Sequence, residues 1–175
     1  MVGFGCAIAT PFVVKQGGTW VFVGALLVAV SVGCDRLYPV AAELSGVVSR
    51  RRLVFVPLAA RLSEAAWLYG YWKLGVPVGV VVAAGGLSLT HEYLRARGQI
   101  AGLRDVGIAT LGERPSRSLT TLAGYGIAGV VGLAATAMSA ELATGIITIA
   151  AMAWLLLAVL GLVQLAIVMA AALRR

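Results

Sequence analysis

Six runs of apolar residues, separated by glycine, proline or charge, take up nearly the whole chain: roughly residues 2–14, 19–47, 53–72, 75–94, 118–138 and 143–173. A helix needs about 20 mainly apolar residues to cross a bilayer, so runs of this length restrict the fold to helices in or across a membrane. With 61% of its 175 residues hydrophobic, 12% charged and a mean hydropathy of +0.97, the chain is much poorer in charge than a soluble domain, where about a quarter of residues are charged. The expected fold class is all-α: an integral membrane protein built as a single six-transmembrane-helix bundle over residues 1–175, with a cytoplasmic Arg-rich segment between helices 4 and 5. The first run falls short of a full span and the last is long enough to project from the bilayer. "MVGFGCAIATPFVV" has no basic residue before its apolar run and leads directly into further apolar segments, so it reads as a first helix and not a cleaved signal peptide.

Charge sets the orientation. Arg50, Arg51 and Arg52 follow the second run, Arg95, Arg97, Arg104, Arg114 and Arg117 lie between the fourth and fifth, and Arg174 and Arg175 close the chain. If six helices alternate, these ten of the fourteen basic residues share one side, and the opposite loops hold only Lys15 and Lys73. The positive-inside rule then places the protein in the plasma (inner) membrane with both termini cytoplasmic. The net charge of +7 is spread in short clusters between apolar runs, as topology signals and lipid-headgroup contacts are, which argues against nucleic acid as a partner. Cys6 and Cys34 lie in apolar stretches without metal-ligand spacing and read as packing residues. Small residues recur at four-residue spacing, as in Gly75 and Gly79 and in "GYGIAGVVG" from Gly124 to Gly132, a pattern that lets helix backbones approach closely.

One stretch departs from this pattern. "CDRLYPVAAELSGVVSRRR", residues 34–52, puts Asp35, Arg36, Pro39 and Glu43 into a membrane-length apolar run. A charge near a helix centre costs on the order of 3 kcal/mol on insertion scales, so such residues mark a site, an ion pair or the remains of a site. Arg36 and Glu43 fall two helical turns apart on one face, and Arg61 and Glu64 are three apart and adjacent. Pairing across helices among these four would neutralise them; a single-metal or nucleotide site centred on Asp35 is the alternative. His91 beside Glu92 reads as a polar anchor at the membrane interface, and as the only histidine it argues against a zinc site.

The sizeable polar segment is "HEYLRARGQIAGLRDVGIATLGERPSR", residues 91–117, in which five arginines face three acids: Glu92, Asp105 and Glu113. Pro115 suits the first turn of a fifth helix. The arginines fit anionic lipid at headgroup level, or a phosphorylated ligand whose oxygens match the guanidinium fork.

These residues carry a family resemblance. A polar motif across the second and third helices, with an Arg-rich segment after the fourth, resembles the CDP-alcohol phosphatidyltransferases, whose motif has the form D-x-x-D-G-x-x-A-R, eight residues, then G-x-x-x-D-x-x-x-D. "EYLRARGQIAGLRDVGIATLGERPSR" and "RLSEAAWL" are similar to the matching parts of phosphatidylinositol-phosphate synthases of actinobacterial type. The resemblance runs from about residue 2 to 173, without the amphipathic N-terminal helix that such proteins place before the first span. Laid on the motif without a gap, the chain reads Asp35, Tyr38, Pro39, Ala42, Glu43, Arg52, Val56 and Ala60. Asp35 and Ala42 match; Tyr38, Val56 and Ala60 replace the other aspartates, Pro39 and Arg52 the glycines, and Glu43 the arginine.

In the family, the four carboxylates hold a pair of divalent ions, magnesium or manganese, against the diphosphate of a donor such as CDP-diacylglycerol. The last aspartate is thought to deprotonate the acceptor hydroxyl, and CMP leaves. Asp35 as the one remaining metal ligand cannot hold two ions, and loss of the base alone costs on the order of 10²-fold to 10⁴-fold. The resemblance therefore implies a degenerate member of phospholipid metabolism with no cofactor, catalytically inactive, acting as partner or modulator of an active paralogue in a homodimer or heterodimer. It also implies an anionic-headgroup or acceptor-phosphate site at Arg95, Arg97, Arg114 and Arg117. Two other functions compete: an active transferase using Asp35, Glu43 and Glu64 with magnesium or manganese, and a lipid-binding or transport protein.

Overall fold

A computed structural model of the protein describes residues 2–44, 50–103, 110–134 and 136–174. Among these residues it is all-helical, with six helices and no strand: α1 (Val2–Val14), α2 (Thr19–Leu44), α3 (Arg50–Lys73), α4 (Val78–Ile100), α5 (Arg114–Gly132) and α6 (Ala137–Ala172). Their ends follow from local chemistry. The α1–α2 turn passes through Gly17 and Gly18 at φ +71° and +52°, a region that side chains with a Cβ rarely enter. α4 ends in a Schellman motif: Gly102, at φ +80°, donates to the carbonyl of Gln99, and Leu103 donates to that of Gly98. Pro115 occupies the first turn of α5 as expected. A reciprocal capping box opens α6, with Thr136 Oγ1 accepting from the Ser139 amide (3.1 Å) and Ser139 Oγ accepting from the Thr136 amide (3.0 Å).

α2 packs on α1 and α5, α6 on α5 and α4, and α3 chiefly on α1. The core where they meet is aromatic and small by turns. Trp67, Tyr71, Tyr125 and Trp154 are fully buried among Val14, Val21, Val28, Ile147 and several alanines. The Tyr71 and Tyr125 rings lie 5.1 Å apart, and Tyr71 meets Trp154 edge to face at 6.3 Å. Burial strands polar ends unless they find partners: the Tyr125 hydroxyl donates to the Trp67 carbonyl (2.7 Å), and Trp154 Nε1 donates to Ser88 Oγ (3.0 Å).

Thr19–Ala41 of α2 and Met138–Ala172 of α6 are long and apolar enough to cross a membrane, and α1 is a shorter apolar helix. α3 and α4 have the length but carry charge, Arg61 and Glu64 in one and His91 to Arg97 in the other, and α5 spans only 19 residues. Several boundaries differ from the apolar runs, most at these: α4 runs on to Ile100, because its polar end finds partners in the bundle, α5 spans Arg114–Gly132 in place of 118–138, and α6 begins at its capping box and not at 143. Gly75 and Gly79 do not form a packing pair: Gly75 sits in the α3–α4 turn at φ +98°, and nothing lies within 4 Å of where a Gly79 Cβ would be. The run from Gly124 to Gly132 does pack, as expected. A Cβ on Gly124 would meet Ala150 of α6 at 2.6 Å, one on Gly129 would collide with the Phe22 backbone of α2, and one on Gly132 would meet the Gly18 carbonyl at 2.8 Å.

Candidate functional site

The charged residues of four helices converge between α2, α3, α4 and α5. Arg61 and Glu64 stand one turn apart on α3 and pair at 2.9 Å, as their spacing predicts. Glu92 of α4 accepts from Arg117 of α5 (2.7 Å) and lies 3.1 Å from Arg61; Arg117 Nε in turn lies 3.5 Å from Glu64. Two guanidiniums and two carboxylates thus alternate in a closed ring. The Arg117 and Glu64 side chains are 0% and 5% exposed, a depth at which an unmatched charge would be prohibitive.

A second set sits at the entry to α5. Glu113 accepts from Arg95 (2.8 Å) and from the amide of Thr110 (2.7 Å), while the Thr110 hydroxyl lies 2.9 Å from His91 Nε2 and accepts from Arg95 (3.2 Å). The amide of Leu111 donates to Gln164 Oε1 of α6 (3.0 Å). Residues 110–113, "TLGE", are therefore fastened to α4 on one side and α6 on the other, which fixes where α5 starts. Arg114, the first residue of α5, reaches Asp35 of α2 and lies 5.9 Å from the centre of the Trp67 ring.

Four arginines (Arg61, Arg95, Arg114 and Arg117) thus meet four acids (Asp35, Glu64, Glu92 and Glu113), and the cluster is formally neutral. Of the expected phosphate-binding residues, Arg95 and Arg114 pair with acids at the cluster's edge and Arg117 is buried within it. Arg97 is exposed on α4 and in no ion pair among the described residues. Arg36 and Glu43 are exposed on α2 and in no ion pair among the described residues; the partners that neutralise the cluster come instead from α4 and α5. His91 is fully buried, a correction to its reading as an interfacial anchor, because α4 continues past it and Thr110 closes over it.

The motif positions fare differently. Tyr38 is half-buried, Pro39 and Val56 are exposed, and Ala60 is partly buried on α3; the side chains of Ala42 and Arg52 lie outside the described residues, as do Arg104 and Asp105. Among the described residues no three His, Cys, Asp or Glu side chains stand where they could share a metal ion. A magnesium or manganese pair does not fit: Asp35 is the one carboxylate at the motif's four aspartate positions, and a guanidinium holds it. The cavity beside it, lined by Val32, Asp35, Arg36, Arg114, Pro115 and Ser118, measures about 120 Å³, well below the ~300 Å³ at which small-molecule pockets begin.

Thr110, the role of Glu113, and Gln164 escaped the sequence reading. For the first two a signal existed: Thr-x-x-Glu before a helix is the pattern in which the glutamate reaches back to the threonine amide. Gln164, isolated in an apolar run, gave none. No family model and no curated protein matches the chain.

Proposed function

We propose that the protein is a degenerate relative of the CDP-alcohol phosphatidyltransferases, a six-span membrane protein with both termini cytoplasmic that does not carry out the transfer and acts as partner or modulator of an active paralogue. One observation carries this reading: Asp35, the remaining motif carboxylate, is taken up by Arg114, while Tyr38, Val56 and Ala60 stand at the places of the other three. A carboxylate engaged by a guanidinium is a poor ligand for a hydrated divalent ion. Three apolar or phenolic side chains cannot replace the missing ligands and base. The neutral cluster points the same way, since a diphosphate is held by uncompensated positive charge or metal and the four arginines of the cluster are each met by an acid. Support for six crossings comes from the alternation of ends, with ten of fourteen basic residues on one side.

The test is CMP release from CDP-diacylglycerol by the purified chain with magnesium or manganese and a panel of acceptor alcohols. Beside it runs a variant carrying Tyr38→Asp, Pro39→Gly, Glu43→Arg, Arg52→Gly, Val56→Asp and Ala60→Asp. Turnover by the restored variant alone is expected. Metal-dependent CMP release by the natural chain, abolished in Asp35→Ala, would replace this reading with that of an active transferase. Isolation of the protein from native membranes with nothing but copies of itself would remove the paralogue from the proposal.

A further inference from the structure

At the end of the bundle away from the arginine clusters lies a larger cavity that the proposed function does not use. About 310 Å³ in volume, it opens between the α1–α2 turn at Gly17, the end of α3 at Leu74 and the start of α6 at Ser139. Its size falls within the range of small-molecule sites. The floor is apolar and closed, formed by the buried side chains of Val21, Ala128 and Ile147.

Three hydroxyls line it, but each is already engaged. Thr136 and Ser139 satisfy one another's amides in the capping box, Ser139 Oγ also donates to the Thr136 carbonyl (2.7 Å), and Thr144 Oγ1 donates to the Ala140 carbonyl (3.2 Å). With these hydroxyls already in local bonds and the floor apolar, the cavity suits an alkyl chain, which needs no directional partner. Two lysines lie close to the lining in the chain. Lys15 and Lys73, both exposed, stand two residues and one residue from the lining positions Gly17 and Leu74. Lys73 Nζ rests 4.4 Å from the Trp72 ring centre and 5.1 Å from that of Tyr69. Trp20, Tyr69 and Trp72 are exposed at this end, as aromatics at headgroup level are. Glu141, the acid of this end, is exposed and does not line the cavity.

We infer that this cavity holds one acyl chain of an anionic glycerophospholipid whose phosphate is met by Lys15 and Lys73. The inference rests on the membrane placement but not on the transferase reading, so CMP release has no bearing on it.

The test is thermal unfolding of the full chain in detergent with added dioleoylphosphatidylglycerol or, as the zwitterionic comparison, dioleoylphosphatidylcholine. The anionic lipid should raise the midpoint by about 3 °C more than the zwitterionic one. Lys15→Gln with Lys73→Gln, two exposed changes that leave the core intact, should erase that excess. Ala143→Phe, which fills the cavity, should erase it as well, while Arg51→Gln with Arg97→Gln at the opposite end should keep it. Equal midpoints for the two lipids in the natural chain would overturn the inference. So would an excess that survives in the lysine variant, or one lost in the arginine variant, which would move the lipid to the arginine-rich end. If Ala143→Phe does not fold, the lysine and arginine variants decide alone.

Discussion

Arg117 and Asp35 both sit in ion pairs, but their surroundings make those pairs unequal. Arg117 is fully buried and touches both carboxylates of the ring, so Arg117→Met leaves Glu64 and Glu92 with Arg61 as their one cation. Removing one partner of a buried pair costs about 3–5 kcal/mol, because the remaining charge stays dehydrated and unmatched. We expect a loss of that size in the thermal stability of the detergent-solubilised protein, partly recovered when Glu92→Gln is added and the charges again balance. A loss under about 1 kcal/mol would show that the ring is not what holds α3, α4 and α5 together. The Asp35 carboxylate is 40% exposed, and its pair with Arg114 is screened accordingly. Asp35→Asn should therefore cost about 1 kcal/mol or less. A natural chain stabilised by magnesium, with the effect absent from Asp35→Asn, would instead return Asp35 to the role of metal ligand.

Among the elements, α5 depends most on what its glycines face. Gly129 lies against the backbone of Phe22, which cannot swing aside as a flexible side chain does; Gly126, three residues earlier, faces open space. Gly129→Ala should push α2 and α5 apart at a cost of about 1–3 kcal/mol. Gly126→Ala should stabilise by a few tenths to about 1 kcal/mol, since alanine is the better helix former and meets nothing. Opposite signs for two identical substitutions on one helix, read from thermal midpoints, are the expected result; the same sign for both would contradict the α2–α5 contact. The identity of the packing glycines was only half legible. The four-residue spacing of Gly124, Ala128 and Gly132 announced close approach, but Gly75 and Gly79 show the same spacing and do not form a packing pair. Spacing places residues on one helix face, and it says nothing about whether a neighbouring helix is there.

For the molecule as a whole, the proposed six-span topology puts both termini on the cytoplasmic side. A fluorescent protein fused after Arg175 should be bright, as in the cytoplasm. Alkaline phosphatase inserted at Gly75 or at Gly17 should be active, as on the far side; phosphatase activity at the C-terminus would invert the arrangement. The helices and most of their ends were open to reading from sequence, because hydrophobic runs, Gly17–Gly18, Pro115 and the glycine after α4 act over a few residues. The burial of the polar end of α4 was not, because "HEYLRAR" looks like a solvated helix end until Thr110 and Arg117 arrive from elsewhere in the chain.

By itself the sequence determined the all-helical class and the number of helices among the described residues, since apolar runs and their breaks are properties of residue type and local order; the sidedness of the charges and the reading of Asp35 as a motif remnant are proposals drawn from the same local order. Only the tertiary structure decided which acids and arginines meet across helices. Asp35 and Arg114 are 79 residues apart, and Arg117 and Glu92 are 25 apart. Pairs at such separations depend on how the helices are rotated and how closely they pack, and in this protein those are set by glycine contacts and buried aromatic rings.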